Sequence, residues 1–138
     1  MKKVLFLFLI TLGACSPKYA EYSYIADYSE YVKEGFLIYP IGTDVKEVGY
    51  IPIADIELVF YSGRKSKAAE HSGISPIKTE EGSSRYIPTE QYITEKIVKA
   101  AKERNANGIL NYQTIALRDV KGNIRCYKVK GTAIIINK

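Results

Sequence analysis

The sequence contains few of the side chains that build metal and redox sites. It has two cysteines and one histidine among 138 residues, and Cys126 and His71 are more than fifty residues apart. Tight transition-metal sites use several thiolates or imidazoles together. We therefore expect no metal site in a monomer and no cofactor; only an oligomer could gather copies of Cys126 around an axis.

The single histidine also limits the reactions that the chain could catalyse. A catalytic base must be held beside its nucleophile by rigid surroundings. His71 lies in the stretch AAEHSGIS, which has no regular period and indicates a solvated loop, and no Gly-x-Ser-x-Gly motif is present. We expect no catalytic residue and a protein that is not an enzyme. A small hydrolase is the least favoured of three functional alternatives.

Long apolar runs are also scarce, and the most prominent one is nine residues long, from Val4 to Leu12. A membrane-spanning helix needs about 20 apolar residues. Lys2 and Lys3 precede the run, and Gly13 and Ala14 follow it, which is the layout of a signal peptide. We expect residues 1–14 to be removed, so that the mature chain begins near Cys15. The alternatives to a special role for Cys15 are a plain secretory signal followed by an ordinary cysteine, or a chance apolar start.

The sequence Leu12-Gly13-Ala14-Cys15 resembles the lipobox of bacterial lipoproteins. The resemblance implies that the Cys15 thiol carries diacylglycerol, that cleavage occurs before it, and that its new amine accepts a further acyl chain. Two or three chains hold a protein at a membrane, whereas one binds only marginally. The segment DYSEYVKEGF is similar to a stretch of uncharacterised Bacteroidetes lipoproteins. The expected partner of Cys15 is therefore a membrane.

The residues after Cys15 bear on which membrane this is. Ser16 stands where an aspartate would signal inner-membrane retention under the enterobacterial rule, and SPKYAEY carries a single acid rather than the acidic run of surface lipoproteins. The resemblance therefore implies an outer-membrane lipoprotein of the cell envelope that faces the periplasm.

The net charge is positive but small. Loss of Lys2 and Lys3 lowers the formal charge from +5 to +3, which is too little to indicate nucleic-acid binding. It would favour anionic lipids or acidic glycans only weakly. We expect no nucleic-acid partner.

Cys126 is the only thiol left if Cys15 is acylated, so no intramolecular disulfide can form. The alternation of NIRCYKVKGTAIIIN predicts a strand, and a half-buried apolar residue is the simplest interpretation of a free cysteine there. Intermolecular pairing in a homo-oligomer, or a redox role, is the alternative.

Local patterns divide the rest of the chain into a lipidated tether with a short helix, residues 15–35, and a domain, residues 36–138. The short helix is predicted from Tyr28 to Glu34, with Asp27 and Glu30 as capping residues and Gly35 ending it. Two of its tyrosines share one face and should pin it to the domain.

Strands dominate the domain. One is predicted from Phe36, and a second follows in which Pro52 interrupts the pattern and Ile56, Leu58 and Phe60 share the covered face. Residues 62–88 lack a sustained period and are expected to form a long loop, mobile over 64–85 and facing a partner.

The best helix follows Thr89, which can cap it, and Asn105 suits the left-handed position that ends it. Its apolar face recurs at helical spacing and consists of Ile93, Ile97, Ala100 and Ala101. A hairpin across residues 120–123 then closes the chain. The fold class is α+β: a sheet of four to five strands, one long helix on one face, and a short N-terminal helix.

The C-terminal half resembles the YbjQ-like superfamily, which includes RcsF-like envelope proteins. AAKERNANGILNYQ and VKGTAIIIN carry the resemblance, with Asn105 and Gly108 departing from the usual Gly and Ala. The resemblance implies a fold rather than a site or a reaction.

Twelve tyrosines and no tryptophan are the remaining compositional feature. Aromatic faces stack on sugars and bury well against protein. Five tyrosines close together predict a glycan or peptide platform, or else pack the N-terminal segment onto the sheet: Tyr19, Tyr22, Tyr24, Tyr28 and Tyr31. The favoured function is a non-enzymatic envelope lipoprotein that binds a protein partner or senses envelope state, and the second is a glycan- or peptidoglycan-binding lipoprotein.

Overall fold

The computed structural model describes residues 25–79 and 82–137. The signal peptide, Cys15, Tyr19, Tyr22 and Tyr24 lie outside the described residues. The elements follow in this order: α1 (Ser29–Lys33), β1 (Leu37–Pro40), β2 (Tyr50–Tyr61), a 3₁₀ turn (Lys67–Glu70), β3 (Ile74–Lys78), β4 (Ser84–Pro88), α2 (Glu90–Lys102), β5 (Gly108–Arg118) and β6 (Ile124–Ile136).

A four-stranded sheet in the order β1-β5-β6-β2 forms the centre of the fold. Strand β1 runs parallel to β5, and the other neighbours are antiparallel. The mixed architecture with one long helix agrees with the predicted class. The predicted strand number is wrong, because the described residues contain six strands in two sheets.

Helix α2 packs its apolar face on this sheet. Ile93, Ile97 and Ala101 are fully buried, and they share one core with Ile109 and Val129 of the two central strands. Every residue of this core lies between Phe36 and Ala133, so the described domain contains its own hydrophobic core. The predicted helix face is thus confirmed.

The ends of α2 follow from local chemistry. The Thr89 side chain accepts a hydrogen bond from the backbone N of Tyr92 at 3.2 Å, as an N-cap does. At the other end Asn105 has a φ of 59°. The backbone N of Ala106 then bonds the carbonyl of Ala101 at 3.2 Å, which satisfies a terminal carbonyl in a Schellman arrangement.

Helix α1 is one residue shorter at each end than predicted. Asp27 Oδ1 accepts a hydrogen bond from the backbone N of Ser29 at 2.9 Å. Gly35 has a φ of 78°, and the next residue, Phe36, bonds the carbonyl of Tyr31 at 2.8 Å. Gly35 therefore ends the helix as predicted. The predicted capping is wrong, because the N-cap is Tyr28, which makes no side-chain cap hydrogen bond, and Asp27 lies one residue before it.

The prediction of a long loop over residues 62–88 is wrong. Strands β3 and β4 pair there as a two-stranded antiparallel sheet, joined to the main sheet by a bridge between Gly63 and Tyr86. Each strand has only five residues, and Pro76 and Ser75 interrupt the apolar alternation of β3. No period-2 pattern was long enough to indicate these strands.

Strand β2 continues through Pro52, with a register shift between Pro52 and Ala54 where the proline lacks a donor. Ile56 is buried, and Leu58 and Phe60 pack against the core, as predicted for that face. Within the part of the chain that the structure describes, no helix is long and apolar enough to cross a membrane.

Candidate functional site

The two helices and β5 together form a cavity of about 320 Å³ near the start of the described chain. We call it the tyrosine pocket. It is lined by three tyrosines, three carboxylate residues and four other residues: Tyr28, Tyr31, Tyr112, Asp27, Glu30, Glu90, Gln91, Thr94, Ile25 and Ala26.

Tyr112 supports the floor of the tyrosine pocket. Its ring meets Tyr28 edge to face, with 6.0 Å between ring centroids. The Thr94 hydroxyl donates to the carbonyl of Glu90 at 2.9 Å, so at the 2.9 Å contact between Thr94 and Tyr112 the tyrosine is the donor. Thr114 Oγ1, at 3.3 Å, can then donate to the same Tyr112 oxygen.

Tyr28 and Tyr31 are attached to the rest of the domain rather than standing free. Both are partly buried and pack against the core, which fits the predicted packing of this helix face, and both also line the tyrosine pocket. The other three members of the predicted platform, Tyr19, Tyr22 and Tyr24, lie outside the described residues.

The charges around the tyrosine pocket are negative. A hydrogen bond from the backbone N of Ser29 holds the pKa of Asp27 below its ordinary value, so this carboxylate is ionised near neutral pH. Burial, followed by nearby phenol and carboxylate groups, raises the pKa of Tyr28 and of Tyr31, so both keep their protons. The pocket therefore offers carboxylate acceptors and neutral phenol groups.

The sequence alone does not indicate Tyr112, Thr94 or Glu90 as site residues. Tyr112 follows Asn111, which has a φ of 55° at a register shift in β5. The irregularity breaks the two-residue alternation, so counting along the strand does not place Tyr112 on the helix side. Thr94 is buried, and the only sequence signal for this was its position beside Ile93 on the predicted apolar face of α2.

His71 is exposed but held by contacts. Its Nδ1 accepts a hydrogen bond from the backbone N of Gly73 at 3.0 Å, and its ring lies 4.8 Å from that of Tyr92. The neutral ring with the proton on Nε2 fits this bond. Among the residues the structure describes, no group of three or more His, Cys, Asp or Glu side chains could hold a metal ion.

Cys126 lies on the sheet face opposite α2, and it is 5% exposed with a free thiol. It is more buried than the predicted half-buried position. Its register partners are Tyr61 in β2 and Leu117 in β5. Further along the same face, Glu57 pairs with Lys130 at 2.8 Å and with Lys128 at 3.3 Å.

Comparison of the chain with models of known protein families and with curated proteins gives no match.

Proposed function

We propose that the chain is a non-enzymatic envelope lipoprotein, held at the membrane by acyl chains on Cys15, whose domain binds a segment of a protein partner in the tyrosine pocket. One observation carries the binding part of the proposal: Ile25 and Ala26, the first described residues, line the pocket. The pocket therefore lies where the chain from Cys15 enters the domain. A bound partner would contact the domain and also Ile25 and Ala26, the residues that lead into it. The YbjQ-like resemblance and the outer-membrane location stay predictions.

The chemistry of the pocket favours a basic side chain of the partner. A lysine or arginine head could pair with Asp27, Glu30 or Glu90, while its methylene stem lies along Tyr28 or Tyr31. Such a contact would select partner segments with a positive charge. Acidic segments would be repelled by the carboxylates of the pocket.

A glycan, such as peptidoglycan, is the second candidate for the same pocket. Sugar hydroxyls could donate to the carboxylates while an apolar sugar face stacks on a tyrosine ring. The favoured partner is a protein, because the phenol rings of Tyr28 and Tyr112 meet edge to face and are partly covered by each other.

Photo-crosslinking in living cells tests this proposal. A crosslinking amino acid replaces Gln91, which is exposed at the pocket, and a control replaces Lys46, which is exposed between β1 and β2. We expect a protein adduct from position 91 alone, and its loss in Glu90→Lys. An adduct to glycan alone would support the second candidate. Identical adducts from positions 91 and 46 would contradict both.

A further inference from the structure

The turn between β5 and β6 holds an apolar side chain out in solvent. Val120 is fully exposed. The turn around it is well hydrogen bonded, because Asp119 Oδ1 accepts bonds from the backbone N atoms of Lys121 and Asn123, each at 2.9 Å. Arg118 Nη1 adds a bond to the carbonyl of Gly122 at 2.7 Å. The exposure of Val120 is therefore a feature of an ordered turn rather than of a loose loop.

Further apolar side chains continue from this turn along the sheet face opposite α2. Tyr61 is 74% exposed and Leu117 is 41% exposed, on either side of Cys126 in the strand register. Ile115 occupies the next row on the same face. Exposed apolar side chains that form a patch mark surfaces for contact with a membrane or another protein.

Cations surround the same end of the sheet. The backbone N of Ser62 bonds the carbonyl of Arg125 at 2.9 Å, which places the end of β2 beside the start of β6. Arg85 Nη1 lies 3.5 Å from Ser62 Oγ, so β4 contributes to this end as well. The basic end, residues 62–65, 84–86 and 118–125, carries six cations: Arg64, Lys65, Arg85, Arg118, Lys121 and Arg125.

Within these three ranges, all of which the structure describes, Asp119 is the one residue with a carboxylate. Its Oδ1 atom already accepts hydrogen bonds from backbone N atoms of the turn. The chain as a whole is only weakly positive, because its acidic residues offset most of its basic ones. The cations of the basic end come from three separate segments, so their clustering depends on the fold. The fold concentrates them beside exposed apolar side chains.

We propose that the basic end docks on an anionic phospholipid bilayer, with Val120 and Leu117 entering the interface and the exposed side chains of Arg64, Lys65 and Arg125 contacting phosphate groups. Peripheral membrane binding combines buried apolar area with attraction to anionic lipids. An acidic polymer would use the cations alone and has no need of an exposed valine at the turn. The proposal goes beyond the anchor at Cys15, because it concerns a second contact made by the folded domain.

Vesicle co-sedimentation tests the proposal with residues 16–138, which retain every described element and its core but lack Cys15. The chain should sediment with vesicles of phosphatidylcholine and phosphatidylglycerol, and weakly with phosphatidylcholine alone. Arg64→Glu with Lys65→Glu should weaken binding about tenfold. Val120→Ser should weaken it about fivefold. Lys46→Glu with Lys99→Glu changes the net charge equally, away from the basic end, and should retain most of the binding.

A fluorescent reporter locates the contact directly. Because the chain has no tryptophan, Val120→Trp introduces a single indole at the turn, and Val32→Trp introduces one at an exposed position of α1. Anionic vesicles should shift the emission of the first variant to shorter wavelength and leave the second unchanged. Absence of wild-type sedimentation, or equal shifts in both variants, would overturn the proposal. So would wild-type binding by Val120→Ser, which would instead identify a site for acidic polymers.

Discussion

Gly131 shows how one residue sets the distance between α2 and the sheet. A Cβ atom at this position would lie 2.4 Å from Cγ2 of Ile109 and 3.7 Å from Cδ1 of Ile97. Both isoleucines are fully buried, so neither has free space to move into. The missing side chain is what lets β5 and the helix approach β6 here. A glycine inside a strand is typical either of a bulge or of a close approach between elements, and at Gly131 the fold shows a close approach.

We therefore expect Gly131→Ala to lower the free energy of unfolding by about 1–3 kcal/mol, the range for overpacked cores. Gly49→Ala is the matched control, because a Cβ atom there meets nothing within 4 Å. Urea denaturation of both variants measures the difference. Equal free energies of unfolding for Gly131→Ala and Gly49→Ala would show that the core can accommodate a methyl group at position 131 and would contradict this prediction.

Asp119 should make part of the stability depend on pH. Burial acts to raise the pKa of its carboxyl, but hydrogen bonds from Asn123 and Lys121 outweigh it, so the pKa lies below its ordinary value of 3.8. A lowered pKa in the folded state adds stability above the unfolded value, and this is lost as the pH falls through the folded value.

The melting temperature of Asp119→Asn should therefore be furthest below that of the wild type near neutral pH. The gap should narrow as the pH falls from about 4 through the lowered pKa of folded Asp119, below which both variants carry an uncharged group. Glu47→Gln, in the exposed segment between β1 and β2, controls for the loss of one charge. A gap for Asp119→Asn that stays constant from neutral to acid pH would contradict this explanation.

Among the elements, α2 was the easiest to predict and β3 and β4 were the hardest. The helix has a cap at Thr89, a left-handed residue at Asn105 and an apolar period between them, and all three signals are local. The two short strands are stabilised by pairing with each other, and a pairing partner cannot be recognised from one five-residue segment. The parallel pairing of β1 with β5 was missed for the same reason.

Ile97→Ala should cost about 2–5 kcal/mol of unfolding free energy, because the side chain is fully buried between α2 and the sheet. Lys99→Ala, two residues along the same helix and exposed, should change it by no more than about 0.5 kcal/mol. Chemical denaturation compares the two variants. A change for Ile97→Ala as small as that for Lys99→Ala would mean that the helix face is assigned wrongly.

The hairpin of β3 and β4 should exchange its amide hydrogens faster than β5 and β6. It is two-stranded, and in the described chain a single isolated bridge, between Gly63 just after β2 and Tyr86, links it to the end of β2. The Tyr86 amide, which bonds the carbonyl of Gly63 at 2.8 Å, should be its slowest. Hydrogen exchange followed by NMR resolves these positions. Protection of the whole hairpin equal to that of β6 would contradict the predicted mobility of residues 64–85.

At the scale of the whole molecule, the sheet separates two surfaces with different chemistry. One face is covered by α2 and bordered by the acidic tyrosine pocket, and the other ends in the basic, partly apolar turn around Val120. Composition predicted only a slightly positive domain, because an overall charge contains no information on where charges lie. The tyrosine pocket could be predicted in part, from Tyr28 and Tyr31, but its floor at Tyr112 depends on tertiary packing.

The central claim is that Cys15 joins this domain to a membrane through acyl chains, and fatty-acid labelling in living cells tests it most directly. The chain supplies its own control, since Cys126 is the only other cysteine and is buried. A clickable fatty acid should label the wild type and Cys126→Ser equally and leave Cys15→Ser unlabelled. Equal labelling of Cys15→Ser and the wild type, or no labelling of the wild type, would contradict the account.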